Sequence, residues 1–336
     1  MKPDDAAFME LALREAAKGV GRTRPNPPVG AVVVKRGKVI ATGFHARAGG
    51  PHAEVVALRA AGKRARGATL YVTLEPCCTH GRTPPCTEAI IAAGIARVVY
   101  GCVDPNPSHA GRADRMLRKA GIEVVRNVER EPCAAMIRPF ASRLLRKRPH
   151  LILKLACSLD GRIADYQGQS KWITGSAARG KVQELRRNAD AIMVGAETVR
   201  ADDPSLLPRP ARGRKPYRVV IQGKRTLPAH AKIFTDEFAD RTLIYPAGQG
   251  MESILHDLAK RDCMQVLCEG GGVLAEALLR EQVVDEIWMF YAPMVLGGSG
   301  RPAVAGKGWK LAEVPEFKVN QVEKLGADIL VILKKP

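Results

Sequence analysis

The chain is 336 residues long, 46% of them apolar, with 53 basic and 34 acidic side chains and a net charge of +19. That length supports two domains with ordinary cores, and eight irregularly spaced cysteines are too few for a disulfide framework, so a local cluster of them reads as metal or catalysis. The longest uncharged apolar run, 287–298, is too short to span a bilayer and holds Pro293, and the start MKPDDAAFMELALREAAK is unlike a signal peptide, so a soluble, cytoplasmic protein with no membrane partner is expected.

In chain order, residues 4–18 have amphipathic helical spacing. VGAVVVK and KVIATGF flank Arg36-Gly37 and predict a β-hairpin. HAEVVALRAAGKR predicts a helix, ATLYVTLE a strand, and TEAIIAAG a helix ending on Gly94. ARVVYG, a helix near 114–119 and IEVVR continue the alternation, and the basic stretch PFASRLLRKRP predicts a helix closing the first half near residue 148. This alternation predicts α/β layers in a first domain, residues 1–147.

After Pro149 the pattern restarts in a second α/β unit, residues 148–336. LILKLAC predicts a strand, SAARGKVQELRRNA a helix, and DAIMVG, YRVVIQG and RTLIYPA strands. A helix near 251–260, CMQVLCEGG, a helix near 273–280 and strands at 284–296 and 328–334 follow. The Pro/Arg-rich 202–216 segment reads as an exposed loop at a site rim.

Chemistry concentrates in PHAEV and in EPCCTHGRTPPC, residues 75–86. Zinc takes imidazole nitrogen and thiolate in a four-coordinate site and, when catalytic, leaves one position to water, whose pKa it lowers toward neutrality. His52, Cys77 and Cys86 suit that arrangement, with Glu54 moving protons rather than ligating; H-x-E followed by P-C is the zinc deaminase pattern. Cys77 ends a strand, and Cys86 opens a helix, where unpaired N–H groups stabilise a thiolate. Cys78 points away if Cys77 ligates, and ligation by the rival His80 leaves Cys86 unexplained. A structural zinc or plain loop cysteines are the blander alternative, outweighed by the upstream H-x-E.

Residues 1–150 carry 26 basic against 12 acidic side chains, which raises the question of nucleic acid. Aromatic residues number only 7 Phe, 6 Tyr and 3 Trp, so stacking platforms are scarce. A phosphorylated small substrate beside a basic surface fits better than a specific nucleic-acid partner, and a deaminase acting on RNA or DNA bases is the competing reading.

The eight residues between Cys77 and Cys86, together with RPNPPVGAVVV, GPHAEVVAL and GCVDPNPSHAGR, depart from the C-x-x-C spacing of nucleoside deaminases. With KLACSLDGRIAD, SKWITG, AETVRADDPSLLPR and EGGGVLAEALL in the second half, the chain resembles the bifunctional riboflavin-biosynthesis deaminase–reductases over nearly its whole length. The resemblance implies a cytidine-deaminase-like three-layer α/β/α domain followed by a dihydrofolate-reductase-like α/β domain. It implies zinc-dependent removal of an amino group from a diamino-ribosylamino-pyrimidinone 5′-phosphate, then reduction of the ribosyl group to ribityl by NADPH. A homo-oligomer, dimer or tetramer, is expected.

Residue by residue, the resemblance puts Asn26, His45, His80, Arg82, Thr83, Asp104 and Asn106 in the deaminase substrate pocket. It puts Ser170, Arg186, Leu206, Arg209 and Glu269 on the reductase substrate; Lys154, on an otherwise apolar strand, either joins that site or is solvated at a sheet edge, and the site is the preferred reading. It puts Ala156, Trp172, Thr198 and Asp202 on the cofactor; Gly271 and Gly272, between a strand and a helix, suit a pyrophosphate. Two departures stand out. Pro28 replaces a second asparagine of an N-P-N turn, and Gln222-Gly223 replaces Asp-Ser, putting the contact at Gly223 in doubt. Lys224 and Arg225 follow at once and suit the 2′-phosphate of NADPH.

Overall fold

The computed structural model describes residues 2–80, 84–211 and 213–336. The chain divides between Lys147 and Arg148 into two compact units.

The first unit contains α1 (Asp5–Ala17), β1 (Gly30–Lys35), β2 (Lys38–Phe44), α2 (Ala53–Ala61), β3 (Thr69–Leu74), α3 (Cys86–Ala92), β4 (Arg97–Cys102), α4 (Arg112–Lys119), β5 (Glu123–Arg126), α5 (Arg130–Met136) and α6 (Arg138–Arg146). Its sheet runs β2-β1-β3-β4-β5. The predicted hairpin pairs β1 with β2 antiparallel, β1 is also antiparallel to β3, and β3, β4 and β5 are parallel. Side chains alternate between two apolar layers, as a strand buried on both faces requires. Ala31, Val33, Leu70 and Val98 pack with Ala57 of α2, Ile90 of α3 and Leu117 of α4. Val32, Val34, Tyr71 and Val99 face the other way, against Met9 and Ala12 of α1 and Cys133 of α5. The result is three layers. Gly43 sets the distance of α2 from the sheet, since a Cβ there would fall 2.6 Å from both Ala53 O and Ala57 N. The missing side chain lets the helix that begins after His52 lie directly on β2.

The second unit contains β6 (His150–Ser158), β7 (Arg162–Ala164), α7 (Ser176–Asn188), β8 (Ala191–Gly195), α8 (Ala196–Asp202), β9 (Tyr217–Ile221), α9 (Lys232–Thr235), β10 (Thr242–Tyr245), α10 (Met251–Lys260), β11 (Gln265–Cys268), α11 (Gly272–Arg280), β12 (Glu286–Ala292), β13 (Arg301–Pro302), β14 (Lys318–Leu325) and β15 (Asp328–Lys334). The main sheet runs β10-β9-β8-β11-β6-β12-β15-β14, parallel as far as β12 and antiparallel beyond. Leu151, Leu153 and Leu155 of β6 pack on Ile254 and Leu258 of α10 and Leu278 of α11, while Ile152 meets Val182 and Leu185 of α7.

Besides short elements that were not expected (α5, β7, α8, α9 and β13), local features differ from the sequence reading. The segment after α8, expected as an exposed loop, buries Leu206 to 2% exposure and Leu207 nearly as far, because Leu206 joins the apolar layer beside Val199 and Val220. The strand expected at 284–296 ends at Ala292. β14 was not expected, because its residues KVNQVEKL are largely exposed and lack apolar alternation. Among the described residues, no helix is long and apolar enough to cross a membrane.

Candidate functional site

In the first unit, β3 ends at Leu74 and the chain passes through Glu75 and Pro76 to Cys77. His52 is the N-cap of α2, and Cys86 is the first residue of α3. His52 Nδ1 lies 3.4 Å from Cys77 Sγ and 3.3 Å from Cys86 Sγ. The three ligand atoms all lie within 4.8 Å of one another, and among the described residues His52, Cys77 and Cys86 are the one such group. Neither Cys78 nor His80 joins it; His80 is exposed, with Nε2 3.8 Å from Glu88.

The two sulfurs are not equivalent. The thiol of Cys86, His52 and the Cys86 backbone N–H, 3.2 Å away, all hydrogen-bond to Cys77, which holds that thiol well below the usual range. Donation to Cys77 and full burial push the Cys86 thiol up. The free N–H at the start of α3, expected to serve Cys86, therefore serves Cys77, which sits where that N–H points. A cation displacing the remaining protons meets two thiolates and one imidazole, the donor set that zinc takes with a fourth position open. The residues fit the metal.

Glu54, in the first turn of α2, is 3% exposed. Burial, then the negative Cys77, push its carboxyl up to about 7, with His52 opposing. His45 is buried, and its ring centroid lies 5.4 Å from that of His52. His45 Nδ1 is 3.1 Å from Pro51 O, which can only accept, so the proton sits on Nδ1; Nε2 then accepts from Asn26 Nδ2 at 3.1 Å. Burial lowers the His45 pKa, in keeping with a neutral ring.

Asp104 and Asn106 lie on the loop after β4. Asp104 Oδ1 accepts from Asn106 N at 2.8 Å, and Oδ2 is 3.3 Å from His109 Nδ1, whose Nε2 is 3.0 Å from Thr79 Oγ1. Buried Glu75 accepts from the backbone N–H groups of Asp104, Gly111 and Ala113 and so fixes this loop beside the cysteine loop. The sequence reading missed Glu75, His109 and Thr79; the pattern that marks Cys77 gives no hint that the acid before it organises a loop. Arg82 and Thr83 lie outside the described residues.

In the second unit, Glu269 follows β11 and forms a two-pronged pair with Arg186 of α7, at 2.6 Å from Nε and 3.0 Å from Nη2. Burial opposes ionisation of Glu269, but Arg186 holds it below the ordinary carboxylate range. Lys154 lies on β6, between β11 and β12, so it is not an edge lysine. Burial lowers its pKa, partly offset by the nearby Glu269. Gly271 and Gly272 play different parts. A Cβ on Gly271 would meet nothing within 4 Å, whereas one on Gly272 would fall 2.4 Å from Pro302 O. Gly271 therefore leaves open space for a ligand at the start of α11, and Gly272 is required by packing.

The other expected cofactor and substrate residues are spread around the same sheet. Trp172 is 66% exposed, with the Arg179 guanidinium 4.7 Å from its ring centroid, and Lys171 Nζ is 3.2 Å from Asp202. Thr198 and Asp202 are half-buried on α8, Ala156 is half-buried on β6, and Ser170 is half-buried before Trp172. Leu206 has φ +52° with its side chain in the core, so only its backbone can meet a ligand. Arg209 is exposed, its N–H 2.7 Å from Gln183 Oε1. Gly223 and Lys224 are exposed, and Arg225 lies 3.8 Å from Glu197.

Residues 2–102 match the cytidine and deoxycytidylate deaminase zinc-binding region, and residues 149–331 match the RibD C-terminal domain. The riboflavin biosynthesis protein RibD of Synechocystis sp. is 42% identical over 324 residues, 90% of this chain and 88% of that protein. RibD of Escherichia coli is 40% identical over 362 residues, 98% of this chain and 99% of that protein. Among solved structures, Acinetobacter baumannii RibD in form 1 has a TM-score of 0.88 at 39% identity over 99% of both chains. A Thermotoga maritima diaminohydroxyphosphoribosylaminopyrimidine deaminase/5-amino-6-(5-phosphoribosylamino)uracil reductase has the same TM-score, identity and coverage. The first unit is thus a cytidine-deaminase-like domain, and the second is a reductase domain of the expected dihydrofolate-reductase-like class.

Proposed function

The chain belongs to the RibD family and is a bifunctional deaminase and reductase of riboflavin biosynthesis, and from that premise we propose how its residues divide the work. The first unit deaminates 2,5-diamino-6-ribosylamino-pyrimidinone 5′-phosphate, and the second reduces the ribosyl group of the product with NADPH, both in the cytoplasm.

The observation that carries the first assignment is the buried Glu54 carboxyl beside the converged His52, Cys77 and Cys86. Zinc, when bound there, supplies acidification of a water molecule. Glu54 takes one proton from the attacking water and gives it to the ring nitrogen, then carries the second proton, from the new C–OH, to the amine, so the C–N bond breaks as the carbonyl forms and ammonia leaves. A carboxyl can both accept and return a proton, which the two halves of that transfer require. Asn26, His45, Asp104 and Asn106 orient the ring, and the 78–85 insertion, with His80, Arg82 and Thr83, meets the 5′-phosphate.

In the second unit, NADPH supplies the hydride. Lys154 and the Glu269–Arg186 pair hold the sugar, with Ser170, Leu206 and Arg209 around it. Ala156, Trp172, Thr198, Asp202 and the opening at Gly271 receive the cofactor. The test is to supply zinc-loaded protein with the pyrimidine phosphate and follow ammonia, then NADPH absorbance. Ammonia first and stoichiometric NADPH oxidation afterwards is expected. Deamination of a base in RNA without activity on the pyrimidine phosphate would overturn the assignment in favour of a nucleic-acid deaminase.

A further inference from the structure

The motif KLACSLDGRIAD holds an acidic residue, Asp160, to which no role has been given. Asp160 sits on the turn between β6 and β7. Its Oδ1 accepts from Ser158 Oγ at 2.6 Å and from Leu296 N at 3.1 Å, and its Oδ2 accepts from Gly297 N at 2.8 Å. Arg162 Nε lies 4.0 Å from Oδ2. Ser158 Oγ in turn accepts from Arg162 N at 3.0 Å. One carboxylate therefore closes its own turn and grips a second loop, 294–300, that is more than a hundred residues away in sequence.

That second loop leads directly to the glycine turn. Leu159 N donates to Met294 O at 2.8 Å where the loop begins, and Ala303 N donates to Gly161 O at 2.9 Å where it ends. Between them β13 pairs with β7. Immediately afterwards Ala305 N donates to Gly272 O at 3.0 Å. Pro302 O stands where a Gly272 side chain would be. The β6–β7 turn, the 294–305 loop and the turn that opens α11 are thus one hydrogen-bonded assembly. Asp160 is the charged group in it that holds the 296–297 backbone. Its ordered donors, Ser158 first and then Leu296 N, keep the carboxyl ionised, at about 2.

We propose that Asp160 is a positioning residue for the nicotinamide cofactor, holding the 294–305 loop so that it backs the glycine turn at Gly271. This rests on the assignment of NADPH to that turn. It touches neither the reacting atoms nor the substrate, so its loss weakens cofactor affinity and leaves the chemical step alone. Asparagine at this position keeps one acceptor but turns an amide donor toward a backbone N–H, which breaks the grip without changing size.

The experiment measures NADPH dissociation by fluorescence, and KM for NADPH, kcat and deamination, in full-length wild type, Asp160→Asn and the milder Ser158→Ala. We expect NADPH KM and the dissociation constant to rise roughly tenfold in Asp160→Asn and about threefold in Ser158→Ala, the scale of losing charge-assisted hydrogen bonds. Both kcat and deamination stay within about twofold, a split that general loss of structure does not give. Unchanged NADPH affinity in both variants overturns the proposal, and so does a fall in kcat at unchanged KM. If wild type itself binds no NADPH, the cofactor assignment fails first and the role of Asp160 falls with it.

Discussion

Arg97 on β4 and Asp5 at the start of α1 form a two-pronged ion pair, with Nη1 to Oδ1 at 2.7 Å and Nη2 to Oδ2 at 2.9 Å. Both side chains are buried, at 4% and 0% exposure. Tyr71 Oη and the Lys2 backbone N–H donate to the same carboxylate. The pair ties the first helix to the sheet that carries the metal ligands. Against its burial, Arg97, Lys2 and Tyr71 hold Asp5 down at about 2.

A depressed carboxyl contributes stability that is complete above its unfolded pKa, near 4, and is lost as pH falls through the folded value. The urea midpoint of the first unit should therefore drop between about pH 4 and pH 2, and Asp5→Asn should flatten that part of the profile. At pH 7 the substitution should cost about 3 kcal/mol, the low end for breaking a buried pair, because Glu123 still meets Arg97 Nε at 2.9 Å. An unchanged acid limb in the variant would mean that other carboxylates govern it.

One zinc per chain is expected, held by His52, Cys77 and Cys86. Metal analysis should show that Cys77→Ser and Cys86→Ser lose it and that Cys78→Ser keeps it. Cys78 is half-buried, outside the converged group, and its thiol is pushed up by burial and by Glu75. Loss of zinc from Cys78→Ser with retention in Cys77→Ser would reverse the ligand assignment.

The ligands were legible because zinc chemistry restricts residue type and spacing, and the layered core was legible because buried strands such as GAVVVK read as apolar runs. What escaped notice has physical reasons. β14 is paired along one edge but wet on its faces, so KVNQVEKL carries no burial pattern. Leu206 looks like a loop residue among prolines, and its burial depends on α7 and β9 rather than on any pattern in its own segment. Glu75 and Asp160 act by collecting N–H groups from distant loops, and an acidic residue at the end of a strand does not reveal which loop will return to it.

Nucleic acid should bind weakly, without sequence preference, and with a steep fall as salt rises, because a basic surface with few stacking residues acts mainly through phosphate charge. Filter binding with a single-stranded RNA across a salt series checks this. Tight binding at physiological salt, with base deamination, would favour the competing reading of the first unit.

Lys224 and Arg225 follow β9 on an exposed turn, beside Gly223, where no neighbour lies within 4 Å of an added Cβ. The protein should prefer NADPH to NADH, and the Lys224→Ala/Arg225→Ala double variant should narrow that preference. One charge-assisted contact to the 2′-phosphate contributes about 1.5–3 kcal/mol. Arg225 already neighbours Glu197, so Lys224 is expected to carry more of the effect. Equal NADPH kinetics in the double variant would remove both from the site.

Glu54→Gln should separate the two activities. Glutamine keeps the shape of the buried side chain but cannot carry a proton between water, ring nitrogen and amine. General acid–base catalysis contributes about 10² to 10⁴ in rate, so deamination should fall by at least that much. Zinc should remain, because Glu54 lies outside the converged ligand group. The reductase residues belong to the unit that begins at Arg148, so NADPH oxidation on already deaminated substrate should be near normal. Each step is assayed with its own substrate on the same zinc-loaded preparation. Retained deamination would mean that another group moves the proton. Loss of both activities in folded, metal-loaded protein would mean that the two sites are coupled.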